Sequence, residues 1–64
     1  MKLNVKKIKL EMERAGWGQS ELGRHMGRSR QWIWWALNAS GNHTFAIVEE
    51  FAKVFQVDPK DLIE

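Results

Sequence analysis

Apolar side chains fall in short groups at helical spacing, separated by glycine, proline and small polar residues. Ile8, Met12 and Ala15 share one side of a helix predicted from about Val5 to Ala15, with Gly16 as its stop. Lys6, Lys7 and Lys9 fall on its outer side. A second helix is predicted from Gln19 to His25, with Gly18 as a permissive N-cap and Leu22 pointing inward. Gly27 then offers the left-handed residue that a tight turn needs. Ser29 is placed to cap a third helix, Arg30 to Asn38, by accepting from a free backbone N–H. A loop of small and polar residues, Ala39 to His43, follows. Thr44 caps a fourth helix, Phe45 to Gln56, whose apolar stripe is Phe45, Val48, Phe51, Ala52 and Phe55. A fifth helix is expected where Asp58-Pro59-Lys60-Asp61 combines an N-cap, a proline for the first helical position and an acid at the positive dipole end. No stretch alternates like a half-buried strand. The expected fold is therefore all-α, with five short helices in one domain spanning residues 1–64.

Composition is compatible with that fold and narrows its chemistry. A chain of 64 residues buries only about 60% of the surface it exposes when unfolded, so its core must be efficient. There is no cysteine, hence no disulfide staple and no thiolate metal site. Four tryptophans and three phenylalanines provide bulk for a core instead. No apolar run is long enough to span a membrane and no signal-peptide pattern precedes the first helix, so a cytoplasmic location is expected by default. The net charge of +2 is modest, but it is unevenly spread. Residues 1–32 carry eight Lys/Arg against three Glu, giving +5, and residues 33–64 carry two Lys against five Asp/Glu, giving −3. That asymmetry suits a polyanion on one face, although a solvated surface with chance segregation has the same composition.

From Gln19 to Asn38 the requirements of two helices meeting at about a right angle appear in order. Leu22 and Met26 face inward from the first helix, and Gly23 is small enough for close approach of the second. Gly27 makes the turn; Ile33, Ala36 and Leu37 face inward from the second helix. This is a helix-turn-helix pattern. The sequence resembles the lambda-repressor and Cro (XRE-like) type of that motif, found in phage repressors and small bacterial regulators. Ile8 to Gln19 (IKLEMERAGWGQ) is similar to that family's first helix and entry, and Ser29 to Asn38 (SRQWIWWALN) to its recognition helix and exit. Thr44 to Ile63 (TFAIVEEFAKVFQVDPKDLI) is similar to its fourth and fifth helices. The chain departs from the family at three places. Arg28 stands at a turn position usually held by Val or Ile, and Ala39 replaces the usual glycine after the recognition helix. Trp32, Trp34 and Trp35 stand where short polar or basic residues are usual.

The resemblance implies DNA binding, with Arg30, Gln31 and Trp35 at positions that commonly touch base edges. Helix rotation agrees: with Ile33 and Leu37 buried, Gln31 and Trp35 lie nearly opposite, while Trp34 and Asn38 flank one edge and Trp32 the other. Arg30 has the donors for a bidentate pair with guanine, and Gln31 the amide for adenine. Gln19, at the start of the second helix, is a candidate phosphate contact together with Arg28, Ser29 and Asn38. Lys6, Lys7 and Lys9 are candidates for a further non-specific contribution. Three indoles within four positions cannot all be buried, so Trp32, Trp34 and Trp35 admit apolar readout in the groove, contact with a protein, or packing on a neighbouring helix. Trp17, where the family has a core leucine, is expected to be buried.

The expected function is that of a sequence-specific regulator of transcription, phage-like and repressor-like, bound to a double-stranded operator as a homodimer. Leu62 and Ile63 are the first candidates for the dimer face. The alternative is a protein-interaction module of antitoxin or repressor-partner type, using Trp32, Trp34 and Trp35. Neither reading calls for a cofactor, a metal or catalysis. His25 and His43 are far apart in sequence and have few supporting carboxylates, and His43 is expected at the surface. Glu49 and Glu50 are adjacent and so do not face each other on a helix. There is no Gly-rich phosphate loop and no evident catalytic set.

Overall fold

The helix ends are set by local capping. In the computed structural model, which describes residues 2–38 and 43–64, Asn4 precedes helix α1 (Val5–Ala15) and its Oδ1 accepts from the Lys7 N–H at 3.1 Å. Gly16 ends α1 in the left-handed region at φ 74°. Helix α2 (Gln19–Met26) ends at Gly27, again left-handed at φ 70°. The Arg28 N–H then returns to the Gly23 carbonyl at 2.8 Å, which satisfies an end-of-helix acceptor. Ser29 Oγ accepts from the Trp32 N–H at 3.1 Å and so caps helix α3 (Arg30–Asn38). Thr44 caps helix α4 (Phe45–Phe55) through the Ile47 N–H, and Gln56 closes it at φ 57° without being glycine. Of the expected loop Ala39 to His43, including the departure at Ala39, only His43 is among the described residues.

The fifth helix is corrected to a short 3-10 turn, Pro59–Leu62. Asp58 caps it as expected, with Oδ1 accepting from the Lys60 N–H at 3.1 Å. Its bonding is of the i to i+3 type, from the Asp61 N–H to the Asp58 carbonyl at 2.9 Å. Continuation as an α-helix is prevented because the chain turns to meet its own beginning. The Asn4 N–H donates to the Leu62 carbonyl at 2.7 Å, and the Glu64 N–H to the Lys2 carbonyl at 3.0 Å. Leu3 and Ile63 form an isolated antiparallel bridge. Periodicity does not reveal this pairing, since it involves one residue from each end.

The core collects one side of every helix. Ile8 and Met12 of α1, Leu22 of α2, Ile33, Ala36 and Leu37 of α3, and Val48, Phe51 and Ala52 of α4 are buried, with Leu3 and Leu62. Phe51, fully buried, is the largest of the fully buried side chains. Burying such a side chain contributes about 1.5–3 kcal/mol relative to exposure, which is why a chain this short folds without a staple. Leu62 is likewise fully buried, and so it is removed as a dimer contact; Ile63 is half-buried in the bridge with Leu3. Ala15 and Phe45 are exposed rather than inward, because each sits at the end of its helix where the stripe rotates off the core.

Two buried polar residues were not anticipated. Glu11 is 8% exposed and takes Arg14 at 3.0 Å and Lys7 at 3.7 Å. His43, expected at the surface, is 5% exposed, with Nε2 at 2.9 Å from the Ala36 carbonyl. That carbonyl lies near the end of α3, where the helix itself runs out of donors. Among the described residues no helix is long and apolar enough to cross a membrane.

Candidate nucleic-acid interface

The angle between α2 and α3 depends on the absence of one methyl group. A Cβ on Gly23 would stand 2.6 Å from the Arg28 carbonyl and 3.4 Å from Ile33 Cγ1. The first contact is with backbone, which cannot swing away, so Gly23 lets the turn fold back beneath α2. Leu22 and Ile33 are fully buried on either side of this crossing, with Met26 packed at its edge.

With its inner side fixed by Ile33, Ala36 and Leu37, α3 turns Arg30, Gln31, Trp34, Trp35 and Asn38 to solvent. Arg30, Gln31 and Trp34 line an open cleft of about 420 Å³ with Gly18, Gln19, Ser20 and Glu21. Gly18 has no side chain with which to cap α2, so the first-turn N–H groups remain available at the cleft edge. The Glu21 carboxylate takes the Gly18 N–H at 2.8 Å, placing a negative charge in the same cleft. Gln19 is half-buried there. Asn38 is exposed and donates its side-chain amide to the Trp34 carbonyl at 2.7 Å. Helix α3 carries no acidic residue, and Arg30 is its single charge.

The tryptophans do not share one environment. Trp32 is half-buried, its ring stacked on Phe51 with centroids 6.1 Å apart and an interplanar angle of 22°. The Arg28 guanidinium carbon lies over the Trp32 ring, 4.4 Å from its centroid. Arg28 is itself held by Glu50 of α4, with Nε at 3.1 Å and Nη2 at 2.8 Å from the two carboxylate oxygens. This bidentate pair raises the guanidinium above its ordinary pKa, chiefly through the hydrogen bond to Glu50. Trp35 leans on Trp32 at 6.1 Å and on His43 at 5.8 Å, yet is 47% exposed. Trp34 is 58% exposed.

Comparison with protein families agrees with this geometry. A family model described as helix-turn-helix domain matches residues 7–64. The chain belongs to the helix-turn-helix domain family. That match is consistent with the XRE-like resemblance carried by the residues, and it covers the bihelical unit together with both flanking elements. Neither a curated protein nor a solved structure gives a significant match.

In this helix-turn-helix domain, then, the cleft brings together Gln19, Arg30, Gln31 and Trp34 of the expected contact set. Ser29 acts as the α3 cap, and Arg28 and Trp32 are engaged with α4. Glu50 and Phe51 are the partners that sequence reasoning missed. An arginine at a turn position usually filled by Val or Ile was the available signal, since such a residue needs either solvent or a carboxylate. Which carboxylate depends on how α4 crosses α2, and spacing along the chain does not encode that. Glu21 was also missed, although its place three residues after Gly18 is that of the second member of a capping box. Lys6 and Lys9 are exposed on α1, while Lys7 pairs with Glu11. Among the described residues, no group of three His, Asp or Glu side chains is arranged to hold a metal.

Proposed function

We propose that this domain is a sequence-specific, double-stranded DNA-binding regulator of transcription, acting in the cytoplasm as a phage-like repressor with α3 in the major groove. The observation that carries this reading is the exposure of Arg30 and Gln31 on one cleft with the start of α2, where Gly18 offers no side-chain cap. Arg30 pairs with guanine O6 and N7, and Gln31 with adenine N6 and N7, each pair being worth about 1–3 kcal/mol of discrimination. The α2 N-terminus and Gln19 hold a phosphate, where the helix dipole favours an anion. Ser29 and Asn38 add neighbouring phosphate contacts. Arg28 commits Nε and Nη2 to Glu50, leaving Nη1 for a phosphate, and its main contribution is to brace the turn. Trp34 and Trp35 face the bases, with Trp32 supporting Trp35 from the core side.

Such a domain contacts few base pairs by itself, so we propose that it occupies a two-fold operator as a homodimer. Selection from random oligonucleotides should enrich one motif containing G and A. Four to six phosphate contacts give a salt dependence of about −0.9 per phosphate in the slope of log affinity against log salt. Failure to enrich any motif, or a flat salt response, would remove the operator reading. The exposure of Trp34 and Trp35 supports a second reading, a protein-interaction surface of antitoxin or repressor-partner type. An indole-driven protein contact would be nearly insensitive to salt, and the same titration therefore separates the two.

A further inference from the structure

We infer that Trp34 and Trp35 read the C5-methyl groups of pyrimidines, in base pairs adjoining those read by Arg30 and Gln31; this rests on the DNA-binding reading above. The shared chemistry is a methyl group at pyrimidine C5, whether in thymine or in 5-methylcytosine.

The argument begins from what an indole can recognise. It has one N–H donor and no acceptor, so it cannot make the bidentate pairs that distinguish purines. The major groove displays donors, acceptors and one apolar group, the C5-methyl. Two indoles left 58% and 47% exposed on the outer side of α3 therefore match that group with the whole ring face, whereas a base-edge acceptor could engage only the single N–H. The spacing adds a second constraint. Trp34 follows Arg30 by four residues and Trp35 follows Gln31 by four, so each polar side chain has an indole one turn behind it on the same face. Four residues advance about 6 Å along a helix, against about 3.4 Å between successive bases on a strand. Each indole thus falls one or two base pairs from its polar neighbour.

The surroundings favour DNA as the occupant over a protein surface. No carboxylate lies on α3 to repel phosphates, and the half of the chain that includes Arg30 and Gln31 carries a charge of +5. Trp34 shares its cleft with Arg30, Gln31 and Gln19, and with a Glu21 carboxylate that is tied to the Gly18 N–H, so an object that covers the indole also meets those polar groups. Trp35 is held in place by Trp32 and His43, and Trp32 by Phe51 and Arg28. An anchored ring loses little freedom on contact, which suits recognition of a group as small as one methyl.

The test uses the duplex enriched by selection. Thymines are replaced singly by uracil, which removes the methyl and leaves every hydrogen-bonding group in place, and cytosines singly by 5-methylcytosine. The transfer free energy of one buried carbon predicts about a fourfold loss at each thymine faced by an indole. If the faced base is cytosine, methylation should tighten binding by the same factor, which identifies 5-methylcytosine as the source. Trp34→Ala should abolish the sensitivity at one position, and Trp35→Ala at the other, while the guanine preference set by Arg30 persists. Circular dichroism and thermal melting establish that each variant is folded. Salt-dependent binding with no methyl sensitivity at any position would overturn the methyl reading and leave the operator reading intact. Methyl sensitivity unchanged in both tryptophan variants would also overturn it. Absence of binding to any duplex would overturn both.

Discussion

Two aromatic groups occupy opposite situations in this molecule. At one, Trp17 lies between His25 of α2, 4.1 Å away and nearly parallel, and Phe55 of α4 at 5.7 Å. At the other, the tryptophans of α3 pass from Trp32, seated on Phe51, through Trp35 to Trp34. Trp17 is half-buried, not enclosed in the core, yet it joins the end of α1 to α2 and α4. Trp34 joins nothing in the core and stands at the cleft with Arg30. Residue type alone does not separate packing from recognition here. What separates them is the element on the far side of the ring.

The sharpest break in this comparison is expected from alanine at the two extremes. Trp17→Ala should destabilise the fold by about 2–4 kcal/mol, since it removes a large side chain at a junction of three helices. Trp34→Ala should change stability by about 0.5 kcal/mol or less. Urea unfolding of the two variants measures both, and equal losses would abolish the distinction. Gly23→Ala, predicted to cost about 1–3 kcal/mol through the clash with the Arg28 carbonyl, tests whether the α3 group depends on the turn. Its thermal melt should fall together with its DNA affinity.

Next in size is Arg30→Ala. It should leave thermal stability unchanged and lower discrimination at one guanine by about 1–3 kcal/mol, read by titrating the selected site against single-base variants. Smaller still is Glu21→Gln, which keeps an acceptor for the Gly18 N–H and removes a negative charge from the cleft. Affinity for DNA should rise about twofold at low salt, consistent with the modest worth of an exposed charge. The smallest effect is expected of Glu50→Gln. It loosens the brace on Arg28 and Trp32, so the melting temperature should fall slightly while the salt slope stays the same. A steeper slope would mean that Arg28, freed from Glu50, had taken up a further phosphate.

Much of the fold was legible because it is specified locally. Gly16, Gly27, Ser29, Thr44 and Asp58 each set a helix end with groups within three or four residues, and all five act as their positions imply. The inward set Leu22, Ile33, Ala36 and Leu37 was legible for the same reason, since rotation along one helix decides it. What escaped depends on separate elements meeting. His43 is buried because it reaches back to the Ala36 carbonyl. Arg28 meets Glu50 across 22 positions of chain. Leu62 is enclosed because the last turn lies against the first segment. Of the proposed interface, the exposure of Arg30, Gln31 and Asn38 was legible from helical phase. The division of labour among the indoles was not, because it is decided by Phe51 beneath one of them.

The pairing of Leu3 with Ile63 has a topological consequence. With Lys2 and Glu64 also in contact at 3.7 Å, the segment from Leu3 to Ile63 is a nearly closed loop whose clasp is that pair of facing residues. A cross-link across that clasp would make the loop covalent without moving a helix. It would restrict only the unfolded chain, and loop-closure entropy for a loop of this length corresponds to about 4 kcal/mol.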